Sequence, residues 1–211
     1  NGEFGGNNAT DALLVQLYTV NPVLYPLTGL NLTVADVNAS LTYTGLDALY
    51  IKLRTVGAIN SYPAGDWKFD NPSVSVSPVP TTQDIYGLCV GDVNGSYIPS
   101  TGYKEASFLS AIEDGTQTIP VNESFTYNIR SNSAAELGAM TLFMNYDQSR
   151  FDLEGVNSSL EGMKYVIDDG KIALAWSDIK GLSLKNNDPV ISLTMSAKEP
   201  VSKPTQIFTL L

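Results

Sequence analysis

The sequence predicts an α+β protein of more than one domain, in which a small helical domain is followed by an antiparallel β-sandwich. A polar loop followed by a short helix occurs twice within residues 1–62, which indicates an internal duplication. Beyond residue 104, apolar and polar residues alternate with a period of two, as is typical of half-buried β-strands. The chain has 211 residues, of which 43% are hydrophobic, so it is long and apolar enough to bury a core.

The two copies of the repeat, residues 11–20 and 47–56, lie 36 residues apart and share Asp, Ala, Leu, Leu, Thr and Val at equivalent places. The shared leucines and valine recur near helical spacing, which predicts two short amphipathic helices that pack face to face. We expect the first helix to end at Asn21, because the residue before a proline leaves the helical region, and the second to end at Gly57. Residues 22–35 are expected to connect the copies.

A twelve-residue stretch, residues 36–47, precedes the second helix and has the spacing of a calcium loop. Oxygen-bearing side chains fall at positions one, three, five, nine and twelve, and position seven would contribute its backbone carbonyl, so a looped backbone can wrap one hard cation. These residues are Asp36, Asn38, Ser40, Thr42 (through its carbonyl), Thr44 and Asp47. Ser40 and Leu41 stand where the pattern has Asp or Asn and then Gly, and Asp47 replaces a longer Glu. The alternative is an Asx-rich turn in which Asp47 caps the helix.

The loop before the first helix is incomplete in the sequence. Asn8 and Asp11 occupy positions nine and twelve, but position one would precede Asn1. We expect a longer parent polypeptide to supply the first aspartate, with Asn1 and Glu3 as further candidate ligands once a one-residue insertion is allowed.

Residues 63–104 are predicted to be a linker with edge strands, including alternating runs at 64–69 and 73–77, because prolines interrupt the alternation. A third acidic cluster, residues 92–96, opens like the calcium loop. Its twelfth position is Tyr103, which cannot close a cation site, so the cluster is predicted to be a turn. Glu105 keeps a third site open as the alternative.

Residues 105–211 contain several short alternating runs separated by turns, which predicts an antiparallel sandwich. Asp168-Asp169-Gly170 has the composition of a hairpin turn, and residues 206–211 resemble an unfinished strand. The alternating runs are Phe125, Tyr127 and Ile129; Met140, Leu142, Met144 and Tyr146; Ile172, Leu174 and Trp176; and Ile191, Leu193, Met195 and Ala197.

Composition excludes several classes of function. The chain has 12 Lys and Arg against 22 Asp and Glu, a net charge of −10, which disfavours a nucleic-acid partner or an anionic membrane surface. It has no histidine, so Ser-His triads and histidine-ligated zinc are excluded. Cys89 is the single cysteine and is expected to be buried. No apolar run is long enough for membrane insertion, and any secretion signal is expected upstream of Asn1.

Two parts of the chain resemble known modules. Residues 36–49, with a shortened twin that ends at residues 10–14, resemble the type I dockerin domain. Residues 137–156 and 170–178, with the strand at 190–198, are similar to cohesin domains.

The resemblance implies a small helical F-hand domain that binds two Ca²⁺ ions, and a sandwich of the cohesin-like jelly-roll type. The implied calcium ligands are Asp36, Asn38, Ser40, Thr42, Thr44 and Asp47 in the second repeat, and Asn8 and Asp11 in the first. A protein partner of the cohesin or dockerin type is expected, within this chain or on another. The predicted domains are residues 1–62, dockerin-like; residues 63–104, linker; and residues 105–211, cohesin-like.

The leading functional hypothesis is a non-catalytic segment of a modular protein that acts in adhesion or assembly, outside the cell or at its surface. One alternative is carbohydrate binding in a polysaccharide-degrading system, with Trp67 and Trp176 as stacking platforms. A second alternative is a subunit of a surface filament. A third is a hydrolase that uses two carboxylates. Its candidate residues are Asp147, Asp152, Asp168, Asp169 and Asp178.

Overall fold

The computed structural model describes residues 5–75, 82–97, 109–112, 119–201 and 207–210. The chain forms two compact units, Asn1–Thr101 and Gly102–Leu211. The first unit therefore includes most of the stretch that the sequence predicted to be a linker. This difference has a physical cause, because Val90 and Val93 are fully buried in the same apolar core as the helices.

The first unit contains helices α1 (Ala9–Val20), α2 (Gly29–Ala35) and α3 (Gly45–Thr55). The predicted pair of helices is confirmed, since α1 and α3 contact each other and contribute to one core. Their buried core side chains are Ala12 and Val15 on α1, and Ala48 and Ile51 on α3. None of the described helices is both long enough and apolar enough to cross a membrane.

The two long helices end where the sequence predicted, at Asn21 and at Gly57. The short helix α2 has no capping signal in the sequence. Helix α1 has Asn21 as its C-cap, and α3 ends just before Gly57, which has a positive φ of 76°. Helix α2 was not predicted within the connection at residues 22–35. It has seven residues, and the side chain of its N-cap residue, Thr28, makes no capping hydrogen bond.

A two-stranded antiparallel sheet completes the first unit, formed by β1 (Trp67–Phe69) and β2 (Gly87–Cys89). The prediction of a strand at 64–69 is thus confirmed in part. The run at 73–77 is not a strand over residues 73–75, and its other two residues lie outside the described part of the chain. Cys89 is buried, as expected.

The second unit contains eight described strands in two four-stranded sheets. One sheet has the order β10-β5-β8-β7 and the other β3-β4-β9-β6, and all their pairings are antiparallel. The strands are β3 (Leu109–Ile112), β4 (Ser124–Ser131), β5 (Ala135–Tyr146), β6 (Phe151–Ser158), β7 (Lys164–Asp168), β8 (Lys171–Leu184), β9 (Pro189–Ala197) and β10 (Phe208–Leu210).

One apolar core joins the two sheets into the predicted β-sandwich. It includes Ile129 and Leu193 from one sheet and Met144 and Leu174 from the other. Asp169 and Gly170 have φ values of 44° and 73° and connect β7 to β8, which confirms the predicted hairpin turn.

Candidate functional site

Residues 36–47, here called the continuous loop, connect α2 to α3. Asp36 is the C-cap of α2 and is 9% exposed. Its two carboxylate oxygens accept the backbone N–H groups of Ser40 at 2.9 Å and Leu41 at 2.8 Å. Ala39 and Leu41 have φ values of 57° and 62°, so the sharp turn expected at position six is present although its residue is not glycine. The backbone thus curls around the Asp36 carboxylate.

Asp47 closes the continuous loop at its other end and is fully buried. Its Oδ2 accepts the backbone N–H of Thr44 at 2.9 Å, and its Oδ1 accepts that of Asn38 at 3.4 Å. Thr44 and Asp47 form a capping box at the start of α3. The helix cap that the sequence offered as an alternative to calcium is therefore present.

The hydroxyl and amide side chains of the continuous loop contact each other. Ser40 Oγ lies 2.8 Å from Thr42 Oγ1, and Asn38 Oδ1 accepts the Ser40 N–H at 2.9 Å. The structure therefore gathers all six residues predicted for this site into one loop.

Asp11, predicted to belong to an incomplete first loop, lies against residues from the far end of the same unit. Asp11 Oδ1 accepts the backbone N–H of Asn94 at 3.2 Å, a contact between residues 83 positions apart. Its Oδ2 accepts the N–H of Asn8 at 2.9 Å. Residues 5–11 and 92–97 together are here called the split loop.

Asp92 occupies in the split loop the place that Asp36 has in the continuous loop. Its two oxygens accept the backbone N–H groups of Ser96 at 2.9 Å and Tyr97 at 3.0 Å. Asn94 Oδ1 also accepts the Ser96 N–H, at 2.9 Å.

Each of these hydrogen bonds has a counterpart in the continuous loop. The equivalent residues are Asp92 and Asp36, Asn94 and Asn38, Ser96 and Ser40, Tyr97 and Leu41, Asn8 and Thr44, and Asp11 and Asp47.

The structure thus places an aspartate, Asp92, opposite Asp11 as Asp36 is placed opposite Asp47. The expectation that a longer parent supplies the first aspartate differs from this arrangement. Asn1, Glu3, Tyr103 and Glu105 lie outside the described residues. A signal was present in the sequence, because residues 36–40 and 92–96 both read Asp-Val-Asn-x-Ser.

Gly6 shows how closely the two segments of the split loop approach. It has a φ of 87°, and a Cβ added to it would lie 2.6 Å from Asp92 Oδ2. Its carbonyl oxygen accepts hydrogen bonds from Asn8 Nδ2 at 3.0 Å and Ser96 Oγ at 3.4 Å. Only glycine fits this position without displacing the carboxylate.

The split loop concentrates negative charge in a buried place. Asp11 and Asp92 are both fully buried. Burial, and next the charge of Asp92, raise the pKa of Asp11 to about 7, although backbone N–H groups act in the opposite direction. A bound cation would relieve this unfavourable pair of carboxylates.

The donors in both loops suit a hard cation. Carboxylate, amide, hydroxyl and carbonyl oxygens are typical calcium ligands, whereas zinc sites use mainly nitrogen and sulfur. Each loop holds only two carboxylates, and the described residues contain no group of three or more His, Cys, Asp or Glu side chains placed to hold a metal. The remaining oxygen atoms in each loop belong to neutral amide, hydroxyl and carbonyl groups.

The acidic residues proposed for a hydrolase have ordinary surface surroundings. Ser149 donates two hydrogen bonds to Asp147, which lower the pKa of that carboxyl. Asp152 forms an ion pair with Lys198 at 2.7 Å. Asp178 accepts the backbone N–H of Lys180 at 2.7 Å. A general acid needs a raised pKa, and the pKa of Asp147 is shifted the other way.

Trp176, proposed as a sugar-stacking platform, is only 3% exposed. It lies in the sandwich core, and its Nε1 donates to the carbonyl oxygen of Glu161 at 3.0 Å. This candidate was wrong, because the alternation of β8 directs the side chain inward. Trp67 is half-buried and stacks on Phe69 at a centroid distance of 6.2 Å.

No protein-family model matches this sequence, and no curated protein matches it. Several solved structures similar to part of this chain contain cohesins. A type I cohesin–dockerin complex from Clostridium thermocellum has 18% identity and a TM-score of 0.35, over 45% of this chain and 71% of that one. A type I cohesin from Pseudobacteroides cellulosolvens has 17% identity and a TM-score of 0.35, over 44% and 67%.

A non-cellulosomal cohesin from Archaeoglobus fulgidus has 16% identity and a TM-score of 0.33, over 39% of this chain and 66% of that one. The chain thus covers just under two thirds of that cohesin. Because these matches are partial and low in identity, the assignment of a β-sandwich rests on the strand pairing and the shared core described above.

Substitution of Gly6 by alanine tests the close approach in the split loop. We expect Gly6→Ala to destabilise the first unit by about 1–3 kcal/mol, because its Cβ would overlap Asp92. Gly57→Ala is the matched control, since Gly57 also has a positive φ but no atom within 4 Å of an added Cβ. Urea denaturation measures the free energy of unfolding of both variants. Equal decreases in this free energy would show that backbone strain, and not the contact with Asp92, accounts for the effect at Gly6.

The raised pKa of Asp11 predicts how the stability of the first unit depends on pH in metal-free buffer. The folded state holds the Asp11 proton up to about pH 7, whereas the unfolded chain releases it near 3.8. The folded state then binds more protons within that window, so stability falls as pH rises from about 4 to 7. We expect Asp11→Asn to flatten this part of a plot of melting temperature against pH. If the melting temperature of Asp11→Asn falls with pH as steeply as that of the parent chain, the raised pKa does not belong to Asp11.

Proposed function

We propose that this chain is a non-catalytic, calcium-stabilised segment of an extracellular or cell-surface modular protein that works by protein–protein association. The observation that carries the proposal is the equivalence of the two loops. Two segments that differ in their arrangement along the chain have the same residue types at four equivalent positions (Asp36 and Asp92, Asn38 and Asn94, Ser40 and Ser96, Asp47 and Asp11). They make the same backbone hydrogen bonds at the starts of two paired helices.

In the continuous loop, the residues proposed to bind Ca²⁺ are Asp36, Asn38, Ser40, Thr42, Thr44 and Asp47. In the split loop, Asn8 and Asp11 are proposed to act together with Asp92, Asn94 and Ser96. Calcium would supply positive charge between buried carboxylates and fix the loop at the start of each helix. Ser40 and Ser96 are neutral ligands, so we expect affinities suited to the millimolar calcium found outside cells.

The partner proposed is a protein of the cohesin or dockerin kind, as the resemblance of both parts of the chain implies. Exposed apolar side chains on the first unit are compatible with such a partner. Val20, Val23 and Leu24, at and just after the end of α1, are 62%, 90% and 64% exposed. Carbohydrate binding has less support, because Trp176 is buried.

Removal of one loop aspartate tests calcium binding. We expect calcium at about 100 times its dissociation constant to stabilise the chain by ~2.7 kcal/mol per site, or on the order of 10 °C in melting temperature. Asp36→Asn should lose part of this increase, because it removes a carboxylate from the continuous loop. Asp84→Asn removes an exposed carboxylate outside both loops and should respond like the parent chain. Melting curves that do not change with calcium or EDTA would contradict the proposal.

A second copy of this chain is one possible partner, because the chain carries both a part that resembles a dockerin and a part that resembles a cohesin. Self-association therefore tests the proposed partner. We expect sedimentation velocity to show concentration-dependent association in calcium, and Leu24→Asp to weaken it without changing calcium affinity. Val74→Asp, at a residue that is 56% exposed and distant in sequence, is the control. A chain that stays monomeric at every concentration would exclude a second copy as the partner.

A further inference from the structure

Strand β7 (Lys164–Asp168) lies at one edge of its sheet in the sandwich. It pairs with β8 along its whole length, from Lys164 opposite Ala175 to Asp168 opposite Lys171, without a register shift. Among the described strands, none pairs with its other side. A free edge of this kind can accept a further strand, because the backbone N–H and C=O groups along it point outward.

The other three edges of the two described sheets are less suited to strand pairing. Strands β3 and β10 have only four and three residues. Strand β6 is interrupted by a register shift between Leu153 and Gly155, and it carries the exposed acidic residues Asp152 and Glu154. Bulges and repeated like charges are common protections against edge-to-edge pairing. Strand β7 has neither protection, and its one lysine and one aspartate balance in charge.

The backbone groups on the free side of β7 belong to Tyr165 and Ile167. The turn that joins β7 to β8 has two residues, and a turn of that length closes on a hydrogen-bonded pair, here Asp168 and Lys171. Hydrogen-bonded pairs alternate with other pairs along an antiparallel ladder, so Val166 is the next residue of β7 that bonds to β8. The N–H and C=O groups of Tyr165 and Ile167 therefore point away from β8.

The side chains of the same two residues form an apolar row at this edge. Tyr165 and Ile167 lie opposite Leu174 and Ile172, which are buried in the sandwich core. Directly paired residues share one face of a sheet, so all four side chains lie on the inner face. Tyr165 and Ile167 are nevertheless 46% and 40% exposed. The sandwich thus leaves apolar surface uncovered where its core reaches the β7 edge.

We propose that β7 pairs antiparallel with β7 of a second copy of this chain, about a two-fold axis at Val166. The strand is self-complementary in this register, because Lys164 lies opposite Asp168 of the second copy, and Tyr165 lies opposite Ile167. The two apolar residues also carry the outward backbone groups, so they meet as hydrogen-bonded pairs. This inference goes beyond the proposed function, since it requires neither calcium nor a partner of the cohesin or dockerin kind.

Other registers of the two strands lose these pairs. A one-residue shift would set outward backbone groups against residues that bond to β8, so the new ladder would lack hydrogen bonds. A two-residue shift in either direction would place Val166 opposite a charged residue and remove both charge pairs. Because the interface has only five residues from each chain, we expect weak association, with a dissociation constant on the order of 100 µM. The pairing uses the same edge on both copies, so it forms a closed dimer.

Sedimentation equilibrium of the full chain in EDTA tests the pairing, because EDTA prevents any association that depends on calcium. We expect a monomer–dimer equilibrium between about 10 and 500 µM. Lys164→Glu and Asp168→Lys should each weaken the dimer by about tenfold, since each places like charges opposite each other twice. Lys180→Glu makes the same change in net charge as Lys164→Glu at an exposed residue outside β7, and it should dimerise like the parent chain.

A mixture of the Lys164→Glu and Asp168→Lys chains tests the register itself. In the mixed dimer, the introduced glutamate faces the introduced lysine, and the unchanged Asp168 faces the unchanged Lys164. We expect the mixture to dimerise at least as strongly as the parent chain. Mixing repairs a contact between chains but not a loss of folding, and the melting temperature of each variant alone checks its fold. A mixture that associates no better than either variant would overturn the proposal.

Hydrogen exchange in EDTA identifies the strand that pairs. The amides of Tyr165 and Ile167 should exchange about threefold more slowly at 500 µM than at 10 µM, because most chains are then dimers. The amide of Val166 bonds to β8 and should be slow at both concentrations. Slow exchange at Tyr165 and Ile167 in a chain that stays monomeric would show that another segment of this chain covers β7, and would contradict the dimer.

The response to calcium separates failure of this proposal from failure of the proposed function. Association that occurs in calcium but disappears in EDTA would refute pairing through β7 and leave the proposed function intact. A dimer in EDTA that Lys164→Glu weakens, together with melting curves that calcium does not change, would refute the proposed function and support the pairing. A chain that is monomeric in EDTA up to 500 µM would refute the pairing.

Discussion

The first unit depends on two buried carboxylates, Asp11 and Asp47, which lie at the third position of α1 and of α3. Each is fully buried, and each accepts one backbone N–H from its own helix cap and one from the loop that faces it. A buried charge is unfavourable unless it is hydrogen-bonded or paired. The positions of both loops, and the start of both long helices, follow from satisfying these two groups.

The same constraint explains the glycine and the positive φ values in the loops. The chain must curl tightly enough for backbone N–H groups to reach Asp36 and Asp92, and Leu41 accepts a positive φ for this purpose. At Gly6 a side chain would occupy the space of the Asp92 carboxylate. Local backbone geometry and buried charge are thus parts of one arrangement, which we propose is completed by calcium.

The sequence predicted those features of the fold that depend on local periodicity. Leucines and valines at helical spacing predicted α1 and α3, and alternation of apolar and polar residues predicted β4, β5, β8 and β9. The turn at Asp169 and Gly170 was predicted from its composition. Helix α2 was missed because it is short and lacks a side-chain cap. The inward orientation of Trp176 agrees with its place in the alternating run Ile172, Leu174 and Trp176.

The candidate site was predicted as a whole only where its residues are contiguous. Spacing predicted all six residues of the continuous loop, but only Asn8 and Asp11 of the split loop. The split loop was seen as two fragments, one truncated at Asn1 and one ended by Tyr103. Spacing rules assume that a loop runs unbroken along the chain, and tertiary packing placed Asp11 opposite Asp92 instead. The sequence itself held one clue, because residues 92–96 repeat the Asp-Val-Asn-x-Ser pattern of residues 36–40. This repeat relates the third acidic cluster to the start of the continuous loop.

The most direct test of the account is a crystal structure grown in calcium, with data collected at a wavelength where calcium scatters anomalously. We expect two anomalous peaks, one between Asp36 and Asp47 and the other between Asp11 and Asp92. A map with ordered loops and no peak at either place would contradict this expectation.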